Sequence, residues 1–188
     1  MGAADFFTVE ACTRRGLTRI LVLFLINLSS RRVEIAGLAR QANGLWMRQV
    51  TRNLSGAAEG FLVGKRYLIH DRDPLFTAEF LATLAASAVR PVKLPPRSPN
   101  LNVHAKRFVR TIRESCLERL ILFGKGSLRK ATREFVEHYH RERNHQGLGN
   151  RLITEHESGV GRTGAIHCRQ RLGARIVSGL VAGGRPEL

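Results

Sequence analysis

Acidic residues are scarce in this chain. Fifteen Asp and Glu stand against 31 Lys and Arg in 188 residues, leaving a formal net charge of +16 and a pI near 11.4. That balance argues against a basic partner and for a polyanion, with nucleic acid the first candidate. Cysteine is scarcer still. Cys12, Cys116 and Cys168 lie far apart and are odd in number, so they outline neither a disulfide framework nor a zinc spacing. A reducing, cytoplasmic setting is the expectation. A leader pattern is missing too, because Asp5 and Glu10 interrupt the first residues. The apolar run Ile20 to Ile26 is too short to span a bilayer. No basic amphipathic helix stands alone, so no membrane partner is expected.

What is present is enough for a globule: 43% hydrophobic residues, in a length that suits one domain. Residues 3 to 11 read as a strand, with Phe6, Phe7, Thr8 and Val9 as β-formers and Asp5 inside it. Ile20 to Ile26 is apolar on both faces and reads as a buried central strand. Ser29-Ser30 marks a turn, and Val33, Ile35 and Ala36 form a third strand, so the chain opens as an antiparallel meander. Trp46, Met47, Val50 and Leu54 recur at helical spacing and read as core packing. Tyr67 to Ile69 is a short strand that ends on Asp71, and Pro74 forbids its continuation.

A helix from about Thr77 to Ser87 follows, with Thr77 as its cap, and then a strand at Val92 to Leu94. The polar loop Pro95-Pro96-Arg97-Ser98-Pro99-Asn100 leads to a helix for which Asn102 is the expected cap. Its apolar stripe is Ala105, Phe108 or Val109, Ile112, Cys116 and Leu120, flanked by Lys106, Arg107, Arg110 and Arg113. A last helix, about Leu128 to His140, turns Leu128, Ala131, Phe135 and Tyr139 inward. Residues 1–150 are thus expected to form the core. Residues 151–188, basic and broken by glycines, are expected to be a poorly ordered tail.

Asp5 is costly inside an apolar strand unless it is paired, hydrogen-bonded or bound to metal. Asp71 sits at the carboxyl end of a strand before a helix, where open α/β sheets place ligands. As a lone residue it reads first as a turn-former. In a ribonuclease-H-like sheet the two strands are neighbours, and two carboxylates brought together call for a divalent cation.

Several stretches, in order, resemble the catalytic core of retroviral-type integrases and DDE-class insertion-sequence transposases. They are Ala4-Asp5-Phe6-Phe7-Thr8-Val9-Glu10, Ser30 to Gly37, His70-Asp71-Arg72-Asp73-Pro74-Leu75-Phe76, Pro95 to Asn102, and Phe135 to Leu148. The resemblance covers about residues 3–152. It implies an α/β, ribonuclease-H-like fold with a mixed five-stranded sheet, three antiparallel strands then two parallel, flanked by helices. It also implies Mg²⁺ or Mn²⁺, with Asp5 and Asp71 as the first two metal ligands, and cleavage and joining of DNA.

The family's third acid is a Glu in a pattern like Asn-x-x-Ala-Glu-Arg-Phe. Here the stretch is Asn102-Val103-His104-Ala105-Lys106-Arg107-Phe108, so Lys106 occupies that catalytic position. A charged ammonium has donors and no lone pair, and cannot ligate a cation. Glu114 and Glu118 lie too far along the helix to stand in, and Asp73 suits the turn better. Lys106 is instead expected to pair with Asp5 and Asp71.

The expected protein is therefore a catalytically impaired integrase core. It would bind DNA through Arg97, Lys106, Arg107, Arg110 and Arg113 and assemble with itself or with an intact transposase. The rival expectation is a non-catalytic DNA-binding or oligomerising transposase remnant; a weaker one is a nuclease working with Asp5 and Asp71 alone. The start of the chain near its first strand and the glycine-rich end are both expected of a truncated, decaying element copy.

Overall fold

The long β-hairpin that opens the chain is the spine of the molecule. In the computed structural model, which describes residues 1–56, 60–96, 99–142 and 153, β1 (Gly2–Thr13) pairs antiparallel with β2 (Gly16–Asn27) over their full lengths. Gly16 closes the turn at φ 102°, a conformation open to glycine. β3 (Val33–Ala39) adds antiparallel to β2. The apolar run in β2 is as buried as its composition requires: Val22 to Ile26 are each 1% exposed or less, because layers of helix cover both faces.

Ala36 is an extra residue in β3, since Leu23 pairs with Gly37 and Phe24 with Ile35. A Cβ on Gly37 would lie 2.7 Å from the Trp46 ring, so the indole of α1 (Gly44–Ser55) rests on that glycine. Asn43 caps α1 by accepting from Trp46 N–H at 2.9 Å.

The chain then turns back into the sheet. β4 (Tyr67–His70) lies parallel to β1, with Gly2 beside Leu68 and Ala3 beside Ile69, and β5 (Arg90–Lys93) lies parallel to β4. The sheet order is β3-β2-β1-β4-β5, so the mixed five-stranded sheet expected from the resemblance is the one observed. Between β4 and β5 runs α2 (Ala78–Ala86), capped by Thr77, which accepts from Phe80 N–H at 3.2 Å. One face of the sheet buries Ala4, Leu23 and Leu25 against Met47, Val50 and Leu54 of α1 and Phe80 and Leu84 of α2.

The other face carries α3 (Val103–Ser115) and α4 (Gly124–Arg141). An aromatic chain ties them to the sheet. Phe24 lies 4.9 Å from Phe108, and Phe108 lies 5.3 Å from Tyr139 and 6.2 Å from Phe135, centroid to centroid. Phe108 is thus the inward residue of α3, and Val109 is not.

Three boundaries differ from expectation, the first being β5, which runs Arg90–Lys93 rather than Val92 to Leu94. α3 stops at Ser115, so Cys116 sits at its C-cap, buried, and Leu120 lies beyond a short 3-10 turn, Leu117–Arg119. α4 starts at Gly124 rather than Leu128, because its first turn carries no apolar periodicity to reveal it.

Met1–His140 make one compact unit. The expected tail, 151–188, lies outside the described residues except for Ile153. No described helix is long and apolar enough to cross a membrane.

Candidate active site at the ends of the first and fourth strands

Parallel pairing of β1 and β4 brings two acids together. The register Ala3 to Ile69, carried two residues on, sets Asp5 level with Asp71. Asp5 pairs with Phe24 across β2, and paired residues share a face, so its side chain lies on the α3 side of the sheet. Asp71 follows the last residue of β4 and shapes the turn: it accepts from Asp73 N–H at 3.0 Å, and Asp73 accepts from Leu75 N–H at 2.8 Å. The turn role foreseen for Asp73 is real, yet its charge also faces Asp5.

Asp5 is held by two donors. Its own neighbour Phe6 donates N–H to Oδ1 at 2.8 Å, and Asn102 Nδ2 donates to Oδ2 at 3.2 Å. Burial nevertheless pushes its carboxyl up to about 6, and the nearby charges of Asp71 and Asp73 push the same way. The Phe6 N–H and the Lys106 ammonium pull it down without restoring the ordinary value.

α3 supplies the opposite wall. A cavity of about 410 Å³ is lined by Asp5 and Phe6 from β1, by Lys106, Arg110, Arg113 and Glu114 from α3, and by Glu118 just beyond it. Lys106 is exposed and acts on Asp5 across this space, but it makes no direct ion pair with Asp5 or Asp71 among the described residues. The expected lysine-carboxylate pairing is therefore corrected to a through-space attraction. The lysine sits early on α3, and its ammonium keeps solvent contact instead of entering the turn.

The flank of cations also divides. Lys106, Arg110 and Arg113 recur at four and three residues and share the cavity. Arg110 pairs with Glu114 at 2.7 Å, and Arg113 donates to the Thr8 carbonyl at 3.3 Å. Arg107 lies round the helix, its charge acting on His104 and on Arg31 of the β2–β3 turn. Arg97 is outside the described residues.

Asn102 is the residue that sequence reasoning misassigned. It occupies the N-cap slot of α3 but makes no side-chain cap bond. It thereby forgoes about 1 kcal/mol of helix stabilisation. Its side chain is spent on Asp5 instead. The residue is 4% exposed, and its Oδ1 has no hydrogen-bond partner among the described residues. The signal was present in the spacing: Asn102 lies one helical turn before Lys106, and so on the same side of α3.

Other tempting side chains are structural. His70 is 2% exposed, stacks 4.7 Å from Phe76, and bonds the Asp71 carbonyl through Nδ1 at 2.7 Å. Burial lowers its pKa, so it is a neutral packing residue that steadies the turn. His140 Nε2 accepts from Val33 N–H at 2.9 Å, which uses its lone pair in joining α4 to β3. Among the described residues no group of three or more His, Cys, Asp or Glu is placed to hold a metal ion.

Residues 87–152, from the end of α2 past α4, match the family model described as integrase core domain. No curated protein sequence matches the chain. Among solved structures, the HTLV-2 integrase catalytic core domain in complex with magnesium, in its trimeric form, superposes with a TM-score of 0.60 at 10% identity. That match covers 81% of this chain and 91% of that one. The catalytic domain of Mos1 mariner transposase gives 0.57 at 14% identity, over 94% and 80%. A chain of the simian T-cell lymphotropic virus intasome in complex with PP2A regulatory subunit B56 gamma gives 0.59 at 12% identity; 88% of this chain is covered, but only 58% of that one. Such identities speak for the fold, a ribonuclease-H-like one. Residues 87–152 thus match the integrase core domain model, and the chain has the fold of integrase and transposase catalytic cores.

Proposed function

We propose that the chain is a DNA-binding integrase or transposase core, with Asp5 and Asp71 as its cation ligands and Lys106 in the third acidic position, where it impairs strand transfer. The observation that carries this reading is the parallel register of β1 and β4, which sets Asp5 level with Asp71, with Lys106 lining the same cavity as Asp5.

The donor set fits one hard cation. Mg²⁺ is commonly held by one or two carboxylates together with substrate phosphates. Asp5 and Asp71 supply two, and a bound cation would offset the burial, and after it the neighbouring carboxylates, that raise the Asp5 pKa. A bound divalent cation supplies Lewis-acid polarisation of a phosphoryl oxygen and activation of the attacking one. Lys106, Arg110 and Arg113 line the wall facing Asp5, where they attract a phosphodiester and hold it against the acids. A carboxylate at position 106 would add a ligand. The ammonium repels a cation instead and leaves the phosphate contact intact. Mg²⁺ in the HTLV-2 core and the dimeric and trimeric forms of that protein favour a divalent cation here, and self-assembly or assembly with an intact transposase.

The experiment is plasmid nicking in Mg²⁺ and in Mn²⁺. The unmodified chain is expected to bind DNA and to nick no faster than Asp71→Asn. Lys106→Glu is expected to gain metal-dependent nicking, and Lys106→Glu with Asp71→Asn to lose it again. Robust nicking by the unmodified chain would refute the impairment. A Lys106→Glu chain that binds DNA and stays silent would favour the non-catalytic, DNA-binding or oligomerising remnant.

A further inference from the structure

Asn102 has given up the helix cap and placed its amide against Asp5 at 3.2 Å. Its oxygen is buried and unpartnered among the described residues. A buried amide oxygen without a protein partner is unfavourable unless something binds it. Oxygen and nitrogen of an amide exchange places by a half-turn of the side chain. After that half-turn the oxygen lies beside Asp5 Oδ2, where the two would repel unless a cation stood between them. Two oxygens bound at right angles to one Mg²⁺ at about 2.1 Å lie about 3 Å apart, close to the separation seen here.

We propose that the side-chain oxygen of Asn102 is a third ligand for a divalent cation held by Asp5 and Asp71, supplying the oxygen that Lys106 does not. This rests on the cation site of the proposed function. It adds that the site has a neutral third donor from the N-terminus of α3, one helical turn before the lysine. The amide toggles: it donates to Asp5 when the cation is absent and turns its oxygen inward when the cation binds. Asn carbonyl oxygens are ordinary ligands for hard cations. Lys106 supplies positive charge in the cavity that Asp5 lines.

The test is Mn²⁺ binding by the full chain, followed by electron paramagnetic resonance of free Mn²⁺, with far-ultraviolet circular dichroism to check folding. The variants are Asp71→Asn, Asn102→Leu and Asn102→Asp. Asp71→Asn and Asn102→Leu are each expected to weaken Mn²⁺ binding by at least about tenfold. Asn102→Asp is expected to tighten it, because a carboxylate is a better ligand than an amide. Mn²⁺ affinity in a folded Asn102→Asp chain no higher than in the unmodified chain overturns the proposal. So does wild-type affinity in Asn102→Leu alongside a loss in Asp71→Asn, which would leave the two-carboxylate site standing. Affinity unchanged by Asp71→Asn, or no binding by the unmodified chain, overturns both the ligand role and the cation site.

Discussion

Asp5→Asn should make this protein more stable at neutral pH. An unperturbed aspartate titrates at about 3.9, whereas Asp5 is pushed up to about 6, first by burial and then by Asp71 and Asp73. The folded state therefore holds a proton at Asp5 more tightly than the unfolded state does. Between about pH 4 and pH 6 the folded chain binds more protons, so the Asp5 contribution to stability falls as pH rises, and above pH 6 it is fully lost. A shift of about two units corresponds to about 3 kcal/mol.

An amide at position 5 removes that ionisation. Its oxygen can keep the Phe6 N–H, and its nitrogen can donate to Asn102 Oδ1 once that amide turns over. Urea unfolding in EDTA at pH 7.5 and at pH 4 is the assay. Asp5→Asn should exceed the unmodified chain by about 2–3 kcal/mol at pH 7.5 and match it near pH 4. Equal stabilities at pH 7.5, or a gain that persists unchanged at pH 4, would refute the claim that an unfavourable carboxylate is held there. Mg²⁺ should narrow the gap at pH 7.5, by stabilising the unmodified chain alone.

Two further outcomes follow from the same geometry. Replacing Lys106, Arg110 and Arg113 together by Ala should reduce the slope of log K against log salt for duplex DNA by about 2.7, at about 0.9 per phosphate contact. Arg107→Ala should leave it nearly unchanged, because Arg107 lies on a different flank of α3. Phe108→Ala should cost about 3–5 kcal/mol in urea unfolding, since the ring is 1% exposed and joins β2 to both α3 and α4; Val109→Ala should cost less than about 1.5.

Much of the fold was legible because its signals are local. The seven apolar residues of β2, the Thr77 cap and the Phe135–Tyr139 stripe each declare an element and its buried side. The parallel pairing of β1 with β4 was not legible from the residues. Strands four residues long carry no partner information, and the resemblance alone supplied it. α3 shows where local rules fail. Asn102 fits an N-cap pattern, and only the tertiary neighbour Asp5 draws its amide away. Lys106, Arg107, Arg110 and Arg113 look alike in sequence, yet a rotation of 100° per residue parts Arg107 from the other three. Phe108 and Val109 were indistinguishable by period until the Phe24 ring showed which one packs.

The most direct test of the central claim is an anomalous-difference map from crystals of the unmodified chain soaked in Mn²⁺. One peak bridging the carboxylates of Asp5 and Asp71, with Lys106 turned away from it, is the expected result. Occupied Mn²⁺ sites elsewhere, with the Asp5 and Asp71 carboxylates apart and no peak between them, would contradict it.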